Sequence, residues 1–240
     1  MRLLAHPGRP GSRSWPVRPS PLRAAAAGLL LVAVAVWAGA PPALALSLSA
    51  PLASASITGV TGNTTWLGSP PAACGFNQLA GQVAYAWDEK QGVNLFLNVD
   101  MINNPGTSTS PIPGTVGGGP MDSHFIHFQG VPGVIGVTGT VSFSAPIAAV
   151  IFTNTNLDAS DAPAGAPATI YPTLYPFRGL STLPPSIFSI SGNTLSFNFQ
   201  TIVPSNFIDQ VRVITHSMPA PGSAAMLGLA GASCARRRRR

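Results

Sequence analysis

Apolar and polar residues alternate along the middle of the chain with a period of two. The clearest case is Val93–Asp100 (VNLFLNVD). Val93, Leu95, Leu97 and Val99 share one face, Asn94, Asn98 and Asp100 the other, and Phe96 is the lone apolar residue on that second face. Successive side chains of a strand point to opposite sides, so this pattern predicts a half-buried strand. The same reading predicts strands at Gln82–Trp87, Ser123–Phe128, Thr138–Phe143, Ile147–Phe152, Leu195–Phe199 and Gln210–Thr215. A less regular one at Ile187–Ile190 is joined to Leu195 by the turn Ser191-Gly192-Asn193-Thr194. Closely spaced strands with little helical periodicity predict an all-β domain, an antiparallel β-sandwich of jelly-roll-like type. One helical turn is expected at Asn156–Ala162, capped by Asn154 or Asn156. Asn103–Gly119 and Pro163–Pro185 read as long connections, and Asp88-Glu89-Lys90-Gln91-Gly92 as a hairpin turn.

Composition sharpens this picture. Only 8% of the 240 residues are charged, about a third of the usual share for soluble globular chains. With one Glu and one Lys, the surface must be built from Ser, Thr, Asn and Gln. A mean hydropathy of +0.30 excludes wholesale disorder. The pI near 10.4 suggests nucleic-acid binding until the charges are located. Five arginines lie between Arg2 and Arg23, and five more, Arg236–Arg240, close the sequence. Between them Lys90, Arg178 and Arg212 stand against seven carboxylates, so the body is mildly acidic. Nucleic-acid binding is rejected.

The two ends read as addresses. Residues 1–45 have a basic n-region, an uncharged apolar run from Ala24 to Ala38, and the small–x–small pattern Ala43-Leu44-Ala45 that signal peptidase accepts. Fifteen apolar residues span about 22 Å as a helix, short of a roughly 30 Å hydrocarbon slab. A cut near Ala45 by the general secretory route is expected, with Ala53-Ser54-Ala55 as an alternative site. Residues 46–217 then form the β-sandwich domain, and 218–240 a second signal. There Pro219-Ala220-Pro221-Gly222 precedes an apolar stretch, Ser223–Ala235, and then Arg236, Arg237, Arg238, Arg239 and Arg240. The arginines would stop transfer on the cytoplasmic side.

That order resembles the PEP-CTERM sorting signal of bacterial surface proteins, in a PAPG-type variant with Ala220 where the usual motif has Glu. The resemblance implies recognition by an exosortase, a membrane protease-transpeptidase. It also implies transient anchoring by a short transmembrane helix and delivery to the cell surface or exopolysaccharide matrix. Ser123-His124-Phe125-Ile126-His127-Phe128, Gly139–Phe143, Leu157-Asp158-Ala159-Ser160-Asp161, Arg178-Gly179-Leu180 and Asp209–Ile214 resemble a β-rich body recurring in uncharacterised proteins of that class. This second resemblance implies an address and no activity.

Candidate chemistry in the body is sparse. His124 should share a face with Asp122, Ile126 and Phe128, and His127 should point the other way with Phe125, so the two do not make a zinc pair on one strand. Asn154, Asn156, Asp158 and Asp161 form the densest oxygen cluster, with a spacing that suits a calcium loop. Ala159 occupies the position where an EF-hand needs Gly, and Asx turns explain such clusters equally well. No cofactor is expected, with calcium as the alternative. Cys74 follows a proline-rich loop, and G-x-S-x-G, H-E-x-x-H and Walker motifs are absent, so no enzyme is expected. Tyr171, Tyr175 and Trp66 are candidates for stacking on sugar rings. The function expected is therefore a secreted structural or interaction protein of the cell surface or matrix. A lectin-like glycan-binding module, calcium-assisted or not, is the alternative, and a secreted glycan-active hydrolase a further one. Its partners would be signal peptidase, the sorting protease, the membrane during processing and extracellular polysaccharide.

Overall fold

The computed structural model describes residues 52–53, 56–102, 104–132, 136–200 and 206–219. The predicted signal peptide, Ala43 and Ala45 included, lies outside them, as does the tail from Ala220 onward with its arginines. Fourteen strands and one helix are described. The first seven strands are β1 (Leu52–Ala53), β2 (Ile57–Gly62), β3 (Thr64–Trp66), β4 (Ala84–Asp88), β5 (Val93–Val99), β6 (Met101–Ile102) and β7 (Gly106–Thr107). Then come β8 (Gly114–Phe128), β9 (Gly136–Phe143), β10 (Ile147–Ile151) and the helix α1 (Asn154–Ala164). The chain closes with β11 (Ile187–Ser191), β12 (Thr194–Gln200), β13 (Asp209–His216) and β14 (Met218–Pro219). The fold is mostly β, as the alternation predicts. Among the described residues no helix is long and apolar enough to cross a membrane.

Seven strands form one sheet in the order β3-β4-β8-β13-β10-β6, with β5 also paired to β8; five form another in the order β2-β9-β12-β11-β7. The pairing is mixed, because β3 runs parallel to β4, with Thr64 opposite Ala84. The two larger sheets bury a common core of Ile126, Phe128, Val211 and Val213 from one side and Val141, Phe143, Leu195 and Phe199 from the other. On the opposite face of the seven-stranded sheet, Trp87, Leu97, Phe125, Ile151 and Ile214 form a second core with Leu157 and Ala164 of α1. This two-sided burial explains β13, whose residues Asp209–Thr215 are all buried. Its odd positions face one core and its even positions, Gln210 and Arg212 among them, face the other.

Three expectations need correction. The single helical turn is an eleven-residue helix that begins at Asn154 after Thr153. The Gly-rich half of the expected loop Asn103–Gly119 is strand: β8 starts at Gly114 and pairs with β5 through Gly117. A Cβ on Gly117 would lie 2.7 Å from the Leu95 carbonyl oxygen, so glycine is there for close strand approach rather than for a turn. Asp88–Gly92 is not a hairpin, because β4 and β5 both run antiparallel to β8, one after the other. Between them, Glu89–Gly92 stand opposite only Asp122 and Ser123, forming an enlarged bulge.

Candidate functional site

That bulge turns Glu89 inward, onto the face of the seven-stranded sheet covered by α1. Arg212 meets it from β13. Its Nε donates to Oε2 at 2.7 Å and its Nη2 to Oε1 at 2.9 Å, a bidentate pair. Arg212 Nη1 reaches the Ser160 hydroxyl at 2.5 Å and Nη2 reaches Asp161 Oδ1 at 3.1 Å. The guanidinium also lies 4.9 Å from the centre of the Phe125 ring and 5.2 Å from that of Tyr171. Glu89 further accepts from the Ser123 hydroxyl at 2.6 Å and from the Tyr171 hydroxyl. Burial alone would lower the Arg212 pKa, but the facing Glu89 charge overrides it and holds the guanidinium ionised. Burial, then Glu89, pushes the Tyr171 phenol up.

Arg178 extends the network. Its Nη1 donates to Asp158 Oδ1 at 2.7 Å and to Asp161 Oδ2 at 2.6 Å, its Nη2 to Asp161 Oδ1 at 2.8 Å, and its Nε to Gln210 Oε1 at 2.7 Å. Both arginine side chains are wholly buried. Asp158 Oδ2 accepts the backbone N–H of Leu174, and Asp161 Oδ2 the Thr173 hydroxyl. The network clamps α1 and the 171–178 loop to the sheet.

The calcium candidates are therefore helical residues, and the carboxylates of two of them are already engaged. Asp158 and Asp161 face guanidinium groups, Asn156 Nδ2 donates to Asp100 Oδ1 at 2.6 Å, and Asn154 Nδ2 donates to the Tyr175 carbonyl at 3.0 Å. A calcium ion would have to displace Arg178 to use both carboxylates. Among the described residues, no group of three or more His, Cys, Asp and Glu is arranged to hold a metal.

The stacking candidates do not form one face. Tyr171 packs edge-on against Phe125 with ring centres 5.4 Å apart and is tied to Glu89. Tyr175 stacks on Phe76 at 6.1 Å and meets Phe177 at 6.0 Å, with its hydroxyl on the Asn206 carbonyl. Trp66 is about half exposed, on β3 at the edge of the seven-stranded sheet. Of the sorting residues, Pro219 alone is described, in β14 opposite Leu52 of β1.

His124 and His127 lie on opposite faces, as the strand period requires. His124 joins Asp88 Oδ1 at 2.6 Å through Nδ1 and the Thr215 hydroxyl at 3.0 Å through Nε2. This Asp–His–Thr relay was not legible in the sequence, because its members come from three strands. His124 and Thr215 are fully buried, so the relay ties β4, β8 and β13 together from inside. His127 Nδ1 accepts from Gln210 Nε2 at 3.0 Å, and burial pulls its pKa down to about 4. Asp209 is buried with the Ser181 N–H on Oδ1 and the Ser186 hydroxyl on Oδ2. Burial outweighs these bonds and the contribution of the Gln200 backbone, and pushes its carboxyl up to about 7. Cys74 is free, fully buried and pushed up to about 12 by burial, which removes its nucleophilic form near neutrality.

No family model, curated protein or solved structure matches the chain.

Proposed function

We propose that this chain is a secreted, non-enzymatic protein of the cell surface or extracellular matrix, exported by residues 1–45 and sorted through residues 218–240. The observation that carries the reading is the order at the C-terminal end: Pro219-Ala220-Pro221-Gly222, thirteen mostly small or apolar residues, then five arginines. The two facing sheets are read as a jelly-roll-like sandwich. The inert state of Cys74 and the internal pairing of Glu89, Asp158 and Asp161 support a structural rather than a catalytic body. Intact-mass analysis of the protein recovered from its producing cells tests the address. The expected masses correspond to a first cut near Ala45 and a second around Pro219–Gly222. Recovery of an exported form that retains Arg236–Arg240 overturns the second cut.

A glycan-binding role is the second reading. It is favoured by the five-stranded sheet, whose strands carry no charged residue.

A further inference from the structure

The outer face of the five-stranded sheet is a regular array of hydroxyl and amide groups. Inner positions such as Val141, Leu195, Phe197 and Ile190 lie in the core, so their neighbours along each strand face outward. The register sets Thr61 of β2 opposite Thr140 of β9, Thr140 opposite Ser196 of β12, Ser196 opposite Ser189 of β11, and Ser189 opposite Thr107 of β7. One hydroxyl row therefore crosses all five strands, at about 4.8 Å per strand. Flanking it on one side is Thr138–Asn198–Ile187, and on the other Ser142–Thr194–Ser191.

Three clefts adjoin one another here, the first at the edge of this face and the other two on it. The first, about 510 Å³, opens between the start of α1 and the 178–187 segment; the second, about 290 Å³, shares Thr109 and Ile187 with it. The third, about 280 Å³, shares Asn198 with the second. Together they make one trough. At its head Asn154, which lines the first cleft, has a buried Oδ1 with no hydrogen-bond partner. Arg178 borders the same cleft, but its charge is spent on Asp158 and Asp161.

We propose that this trough binds a chain of a neutral polysaccharide. The proposal rests on the glycan-binding reading above and gives it a site other than Tyr171, Tyr175 and Trp66. The argument is complementarity. An anionic polymer finds no cation on these strands, and a cationic one finds no carboxylate. An amphipathic helix finds no apolar stripe, since Ile187 interrupts a polar surface. Ser and Thr hydroxyls and Asn and Gln amides each both donate and accept, which matches the donor-and-acceptor hydroxyls of an uncharged sugar. Phe152, Leu180 and Pro185 in the first cleft give the apolar faces of the sugar rings a wall to rest on.

The test uses the full chain, with neutral α- and β-linked glucan hexasaccharides as probes and an alginate hexamer as the anionic control. Calorimetry should show binding of a neutral hexasaccharide and none of alginate. Ser196→Arg and, separately, Ser189→Glu should each weaken that binding roughly tenfold or more. Both positions are exposed, and the unchanged circular dichroism of either variant keeps the comparison valid. Tyr175→Ala should leave affinity unchanged. Binding lost in Tyr175→Ala and kept in both sheet variants overturns the trough while glycan binding survives. No binding of any neutral probe overturns both. Tighter binding of alginate overturns the neutral class. Self-association abolished by Ser196→Arg would make the occupant a second copy of the chain, and overturns the assignment as well.

Discussion

At the scale of single residues, the charged groups of the body act mainly as internal fasteners. Glu89 and Arg212 are the pair that matters most, because neither can return to water without opening the α1 side of the sheet. Glu89→Gln leaves Arg212 buried against Asp161 alone. It should cost about 3–5 kcal/mol, the loss typical when one partner of a buried ion pair is removed. Urea unfolding measures it, and a loss below about 1 kcal/mol, the range of an exposed pair, would show that the pair is solvated. Asp209 and His127 give opposite pH signatures. Asp209, raised to about 7, favours the folded state while protonated, so its contribution is lost as pH rises from about 4 through 7. His127, lowered to about 4, must be neutral in the fold, so its contribution is lost as pH falls from about 6.5 through 4. Between pH 4 and 6.5 the two slopes offset each other. Relative to the parent, Asp209→Asn should therefore gain stability steadily from pH 4.5 to 7.5, on the order of a few kcal/mol. Melting curves across that range check it; parallel profiles for parent and variant would mean that Asp209 is ionised in the fold at every pH tested.

At the scale of elements, α1 and the β4–β5 bulge explain each other. The helix has no acidic residue in its first turn and no basic residue in its last, and Thr153 makes no side-chain capping bond to it. Its hold on the sheet comes from Leu157, Ala164 and the arginine network rather than from intrinsic propensity. Asp158→Asn together with Asp161→Asn should therefore lower stability without calcium by about 3–5 kcal/mol, because Arg178 is left buried and unpaired. Millimolar calcium should not raise the melting temperature of the parent, since Arg178 already neutralises both carboxylates. A calcium-dependent rise that this double variant abolishes would restore the cluster as an ion site. Strand β8 depends on close approach at Gly117. Gly117→Ala should cost about 1–3 kcal/mol by forcing β5 away. Gly119→Ala, with nothing within 4 Å of the added carbon, should cost far less. Equal costs would show that β5 gives way freely.

At the scale of the whole molecule, charge is sorted by place. The strands of the five-stranded sheet have none, the α1 side of the seven-stranded sheet buries it in pairs, and the arginine clusters stand at the two ends of the sequence. Among the described residues, neither core contains one beyond Ile214. Deleting Ala220–Arg240 should therefore shift the melting temperature by no more than about 2 °C, under 1 kcal/mol for a domain of this size. On the proposed sorting route, the deletion should also release the protein into the medium. A larger drop in melting temperature would mean that the tail packs on the body.

The sequence alone determined the strand-rich class and most of the strand positions. Period-two alternation reports directly which side chains are removed from water, and it placed His124 and His127 on opposite faces. It also located the basic charge at the ends, because charge position needs no fold to be read. Tertiary structure decided the rest. Whether Asp158 and Asp161 meet a cation or a solvent ion depends on where Arg178 and Arg212, up to 54 positions away, arrive. Whether Gly117 is loop or strand depends on how near Leu95 comes. Glu89 looked like a turn residue because its neighbours are polar, and only the register of β4 and β5 along β8 turned it inward. The hydroxyl row across five strands has the same origin. Its members lie between positions 61 and 196, and hydrogen-bonded register, which no local pattern encodes, sets them side by side.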